Sequence, residues 1–191
     1  MPDLRTPVIA AGALGGRPQP TIETDGLLLR PWRAEEAAVL ARAYSDPEIR
    51  RWHVRTMDEP EALARIAAGR ESWRAERSAE WAVLEGAVPV GRVILKDLDL
   101  RDGCAEVGYW VLPEARGRGV ATRALQALSE TLFDDLGFRR LELEHSIANP
   151  ASCRVAEKAG FAAEGVRRAA VLHEDGWHDM HVHARLAGEW S

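Results

Sequence analysis

Two cysteines, Cys104 and Cys153, are all that the 191 residues contain, and their spacing supports neither a metal knuckle nor a disulfide framework. Free thiols in a cytoplasmic protein are the expectation. No apolar run is long enough to span a membrane, and the first residues lack the basic start and long apolar centre of a secretory signal. An excess of positive charge is missing as well. The 25 Lys and Arg stand against 30 Asp and Glu, a formal net charge of −5, which argues against a protein that grips nucleic-acid phosphates. The length fits one domain of ordinary size, with a single active site as the simplest expectation.

Two familiar phosphate loops are also lacking. Gly117-Arg118-Gly119-Val120-Ala121-Thr122 starts like the dinucleotide fingerprint, but Thr122 stands where a third glycine should permit close helix packing, and the loop lies mid-chain. No Gly-Lys-Ser/Thr follows, so the Walker loop fails too.

What is present is an apolar run, Val107 to Leu112, that reads as a buried strand closed by Pro113. A glycine-arginine loop then feeds directly into a helix beginning near Val120. Glycines at 117 and 119 let backbone N–H groups converge, the helix dipole adds positive potential, and Arg116, Arg118 and Arg123 add formal charge. Such a place suits a polyanion, most simply a pyrophosphate; an ordinary tight turn with solvated arginines is the bland alternative. Arg116-Gly117-Arg118-Gly119-Val120-Ala121 matches the pattern Arg/Gln-x-x-Gly-x-Gly/Ala, and here the chain resembles the GNAT superfamily of acyl-CoA-dependent N-acyltransferases. Two further stretches carry the likeness. Asn149 to Phe161 is similar to the family's Asn-x-x-Ser-x-x-x-x-Glu-Lys-x-Gly-Phe segment, and Glu23 to Trp32 resembles the opening of RimJ/RimL-type protein N-acetyltransferases.

The chain in order predicts a strand within Thr21 to Trp32 and a helix over Ala34 to Tyr44. Asp46-Pro47 reads as a turn, and Asp58 with Glu61 as a capping box that opens a helix to about Arg77. A strand meander follows, with turns at Glu85-Gly86-Ala87 and Arg101-Asp102-Gly103. Leu125, Leu128, Leu132 and Leu136 mark the helix after the motif, Arg140 to Ile147 alternates as a strand, and Asn149-Pro150 opens a short helix. Val166 to Leu172 and Trp177 to Leu186 form a last hairpin. The fold expected is α+β, and the resemblance sharpens it to a central mixed, mostly antiparallel sheet with a splayed strand pair, flanked by helices. Residues 1–20, rich in Pro, Gly and Ala, read as a mobile arm or one ordered only by packing on a neighbour, and 21–191 as a single acyltransferase domain.

The resemblance implies acetyl transfer from acetyl-CoA to a primary amine, a protein N-terminus or a small molecule, by direct attack in a ternary complex. An acyltransferase for a longer acyl-CoA and a non-catalytic acyl-CoA-binding module are the alternatives. Coenzyme binding falls to Arg116, Gly117, Arg118, Gly119, Val120, Ala121 and Thr122. Backbone groups of Trp110, Val111 and Leu112 would hold the pantetheine and the oxyanion, and Asn149 and Ser152 complete the set. Ser152 is the candidate proton donor to the thiolate, and no tyrosine in that segment offers the alternative acid. Glu106 is the candidate base, able to act if partial burial raises its pKa; a salt-bridged strand glutamate is the competing reading. Trp52, His53 and Trp177 are placed in the acceptor pocket. Cys153 beside Ser152 is expected to be packed and inert. His181 and His183 would share a strand face, but with no third ligand predictable, no metal is expected. Acetyl-CoA and an amine are the expected partners, with no nucleic acid or membrane, and a homodimer is one arrangement the family likeness suggests.

Overall fold

A computed structural model of the chain describes residues 5–189. One eight-stranded sheet, in the order β1-β2-β3-β4-β5-β6-β8-β7, organises it. Its strands are β1 (Ile22–Thr24), β2 (Leu27–Pro31), β3 (Ala79–Glu85), β4 (Val88–Asp99), β5 (Cys104–Val111), β6 (Arg140–Ser146), β7 (Ala162–His173) and β8 (Gly176–Leu186). Its helices are α1 (Ala37–Ala43), α2 (Pro47–His53), α3 (Glu59–Arg74), α4 (Val120–Asp134) and α5 (Pro150–Lys158). Neighbouring strands run antiparallel except β5 and β6, which are parallel. The α+β sheet with one parallel pair agrees with the sequence expectation.

The caps follow side-chain chemistry. Asp58 accepts from the Glu61 N–H while Glu61 returns a bond to Asp58, the reciprocal box expected. Asn149 caps α5 by accepting from the Ser152 N–H, with Pro150 in the first turn. Asp46-Pro47 differs from the turn expected. Asp46 accepts from the Ile49 N–H and Pro47 occupies the first turn, so the same cap-and-proline chemistry starts α2.

Two apolar cores flank the sheet. Leu125, Leu128 and Leu132 of α4 are fully buried on one face with Ala105 and Val107 of β5; each such leucine contributes about 1.5–3 kcal/mol. On the other face Trp110 and Leu112 pack with Leu40, Tyr44, Ile49 and Ala62. Period-two alternation on β5 thus sends odd positions toward α4 and even positions toward α1 to α3.

The mobile arm expected at 1–20 is corrected for its described part, residues 5–20. Ile9 and Leu14 are buried in the α4-side core. Val8 and Ile9 donate to the Arg101 and Leu100 carbonyls. The Glu76 carboxylate accepts from the Gly12, Leu14 and Gly15 N–H groups at 2.8, 2.8 and 3.2 Å, and the indoles of Trp73 and Trp81 donate to Arg17 and Pro20. The strap lacks periodicity because its partners are side chains far along the chain, which no local pattern announces.

Candidate active site

β5 and β6 pair only at Cys104, Ala105 and Glu106 with Arg140, Leu141 and Glu142. Beyond Glu106 the two strands part, the splay the family likeness implied. The Leu112 N–H donates to Val90 on β4, so alternation gives Trp110 backbone groups to β4 as well and leaves those of Tyr109 and Val111 at the open edge. This corrects two expected backbone donors: Trp110 and Leu112 are committed to the sheet, and the Leu112 side chain is core. Even the Val111 carbonyl is taken, accepting from Arg116 Nε at 3.1 Å.

Below the splay lies the N-terminus of α4. Gly117 and Gly119 have φ of +75° and +74°, and a Cβ at either would point into open space, so glycine is required by backbone conformation and leaves room for a ligand. Arg116, Gly117, Gly119, Val120, Ala121 and Thr122 line one cleft of about 740 Å³ together with Trp110, Val111, Asn149 and Ser152. Arg118 does not line it; its guanidinium pairs with Glu85 at 2.6 Å. Arg123 is turned to the Asp25 carbonyl. Arg116 is a clamp, reaching Asp46 and Glu48 of α2 at 2.6 Å each. Burial raises the Asp46 pKa, but the Ile49 N–H and Arg116 outweigh it, leaving the carboxyl below its ordinary value. On α5, Arg154 and Lys158, four residues apart on one face, are further cations lining the cleft.

Ser152 is buried, and Tyr109 Oη donates to its Oγ across 3.0 Å. Burial pushes the Tyr109 phenol up to about 12, with the Ser152 bond opposing. The tyrosine absent from the Asn149 segment is therefore supplied by β5; its signal was the odd-position face of the strand.

Glu106 lies on the opposite face, at the point where the strands part. Its Oε1 is 2.7 Å from Lys96 Nζ, its cross-strand partner on β4. Burial raises its pKa, and that outweighs the lowering by Lys96, with Glu144 and Asp97 adding to the rise. The side chain is at once salt-bridged and less acidic than an ordinary glutamate. His53 is half-buried in the same wall of the cleft. Burial, then Arg92, lower its pKa to about 4, against a raising bond to the Tyr109 backbone.

Trp52 lines the cleft with its ring edge-on to His173, while Trp177 is exposed on the β7–β8 turn and does not line it. His173 in turn reaches the Arg51 carbonyl at 3.1 Å, joining α2 to the last hairpin. Cys153, expected to be packed and inert, is only partly buried, and His181 Nδ1 stands 4.0 Å from its Sγ.

A parallel pair splayed over a glycine-lined helix N-terminus, with Ser152 and Tyr109 on one face and Glu106 on the other, defines a cleft that can hold an extended phosphate-bearing ligand between two strands. The chain matches the family model described as an acetyltransferase (GNAT) domain over residues 26–162 and belongs to that family. It is 30% identical over 97 residues to a ribosomal-protein-serine acetyltransferase of Escherichia coli (strain K12), covering 51% of this chain and 54% of that protein. The chain spans about half the length of the curated relatives it matches. Among solved structures it is similar to RimL, a ribosomal alpha-N-protein acetyltransferase in complex with coenzyme A (TM-score 0.81, 18% identity, 87% of this chain and 98% of that one). Mycobacterium smegmatis RimJ in complex with a CoA disulfide is also similar (TM-score 0.79, 24% identity, 86% and 83%). Among the described residues no helix is long and apolar enough to cross a membrane.

Proposed function

We propose that the protein is an acetyl-CoA-dependent N-acetyltransferase whose acceptor is the α-amine of a protein chain. The observation that carries this is the parting of β5 from β6 directly above Gly117 and Gly119. The residues present fit coenzyme A. The open edge of β5 offers the Val111 N–H to pantetheine, the Gly117-to-Thr122 backbone faces the pyrophosphate, and Arg154 and Lys158 add charge along the cleft. Acetyl-CoA supplies an activated acyl group.

The residues of the chain divide the proton work by face. Glu106, held less acidic by burial, accepts the proton that the incoming amine loses. An α-amine, with an ordinary pKa of about 7.7–8.0, needs less help than a lysine would. As the C–N bond forms and the C–S bond breaks, the Ser152 hydroxyl gives its proton to the departing sulfur. Tyr109 Oη, already donating to Ser152 Oγ, refills the serine and regains its own proton from solvent, to which Glu106 releases the one it took from the amine. The acceptor side is walled by Trp52, His53 and His173. The protein-terminus acceptor rests on the activities of the similar Escherichia coli protein and of RimL.

The test is thiol release from acetyl-CoA across peptides with free N-termini and a panel of small amines. Release with peptides and little with small amines supports the reading. Release with small amines alone would reassign the acceptor, and coenzyme binding without release anywhere would make the chain a binding module.

A further inference from the structure

On the α5 side of the last hairpin, three strand histidines and one helix cysteine converge. His145 on β6 stands opposite His181 on β8, and His183 is two residues further along the same face. Cys153, in the first turn of α5, looks onto them. One ligand atom from each of His145, Cys153, His181 and His183 lies within 4.8 Å of every other. The sequence alone shows only the β8 pair; the fold adds the strand beside it and the helix above it.

The protonation of the two buried rings decides what the cluster needs. His145 Nδ1 is 2.8 Å from the Ser146 carbonyl oxygen, and His183 Nδ1 is 3.3 Å from that of Phe161. A carbonyl oxygen only accepts, so both Nδ1 atoms carry the hydrogen, and in the neutral rings both Nε2 atoms are bare lone pairs. Those lone pairs face one another at 3.1 Å. Two lone pairs at that distance repel unless a cation lies between them. A backbone carbonyl on the far nitrogen is also the partner that orients a metal-binding imidazole.

Ring placement agrees. Three imidazoles bound to one tetrahedral metal at about 2.0–2.1 Å set their centroids roughly 5.2 Å apart. The three centroid separations are 5.1 Å for His145–His183, 5.4 Å for His145–His181 and 5.7 Å for His181–His183. Cys153 Sγ, 4.0 Å from His181 Nδ1, needs only a small inward shift to reach a tetrahedral sulfur position.

We propose that His145, His181, His183 and Cys153 form a tetrahedral site for a divalent cation of the zinc class. Three imidazoles and one thiolate suit a borderline-soft ion and disfavour magnesium or calcium, which take oxygen ligands. With all four positions filled by protein the site is structural. It ties the first turn of α5, which carries Ser152, to the two strands beneath.

The test uses tag-free protein stripped with a chelator and titrated with Co²⁺, then Zn²⁺. One Co²⁺ per chain, intense tetrahedral ligand-field bands, a thiolate-to-cobalt charge-transfer band and displacement by Zn²⁺ are expected. Cys153→Ser should lose the charge-transfer band, and His181→Gln should weaken Co²⁺ binding more than about tenfold. Both residues are only partly buried, and far-ultraviolet circular dichroism checks that the variants fold. Absence of stoichiometric uptake, or uptake whose affinity and spectrum both variants leave unchanged, would overturn the site; two buried histidines sharing a proton would then remain.

Discussion

Tyr109 on β5 donates its phenolic hydrogen to Ser152 on α5 across 3.0 Å, joining two elements separated by the whole of α4 and β6. For Ser152 as the proposed acid, the pair supplies a partner that is protonated at neutral pH, since burial holds the phenol at about 12. Tyr109→Phe and Ser152→Ala should each lower kcat by about 10²–10⁴ while leaving coenzyme affinity nearly unchanged. Because the two act as one relay, the double variant should be little worse than either single one. Steady-state kinetics with calorimetric coenzyme titration checks this, and additive losses would mean independent roles.

With Glu106 as the proposed base, activity should depend on pH in a defined direction. Its carboxyl pKa is raised, so the carboxylate needed to accept a proton is lost as pH falls, starting above the ordinary glutamate range. With rates expressed per free amine, kcat/KM should climb with pH through that raised pKa. Glu106→Gln should flatten the climb. Tyr109, with its pKa near 12, should cause no fall below about pH 11. An unchanged ascending limb in the glutamine variant would remove Glu106 as the base.

Gly119 sits at φ +74° with open space where a Cβ would project. Gly119→Trp should abolish measurable coenzyme binding by filling the approach to the α4 N-terminus, with only a modest loss of thermal stability from the strained backbone. Calorimetric titration reads the first and a melting scan the second. Undiminished affinity would detach the pyrophosphate from this loop.

Much of this was legible in the residues. The apolar strand, the glycine pair and the following helix face marked the cleft floor, and Asn149-Pro150 marked α5, because each rests on local spacing and capping. The same cap-and-proline pair at Asp46-Pro47 was read as a turn, since α2 is only two turns long and shows no apolar stripe. What local pattern could not show were relations made by the sheet. Tyr109 meets Ser152, Lys96 meets Glu106, and Arg116 at the start of the glycine loop clamps Asp46 and Glu48. The Trp177 placement failed for a related reason: a tryptophan in a predicted turn suggests binding, but here it caps the far end of the last hairpin in solvent.

The N-terminal strap should matter for stability. Leu14 is fully buried in the α4-side core, and Leu14→Ala should cost about 2–5 kcal/mol. Glu76 contributes through charge. Burial opposes its ionisation, but bonds from Gly12, Leu14 and Gly15 leave its pKa lowered. A depressed carboxyl stabilises the fold above its unfolded value of about 4.3 and loses that contribution as pH falls toward the folded one. Glu76→Gln should therefore reduce stability at neutral pH and flatten its decline in acid. Denaturant unfolding across pH checks both, and an acid decline identical to that of the parent would show that the strap is held by its apolar residues alone.

The central claim is direct transfer from acetyl-CoA to an amine within one ternary complex. Intact-mass spectrometry of enzyme and peptide acceptor, quenched in acid during turnover, tests it most directly. The account predicts one acetyl group on the peptide N-terminus and none on the protein, Cys153 included. An acetylated protein that passes its acyl group to the peptide would contradict direct attack, and an unmodified peptide with intact acetyl-CoA would contradict the activity itself.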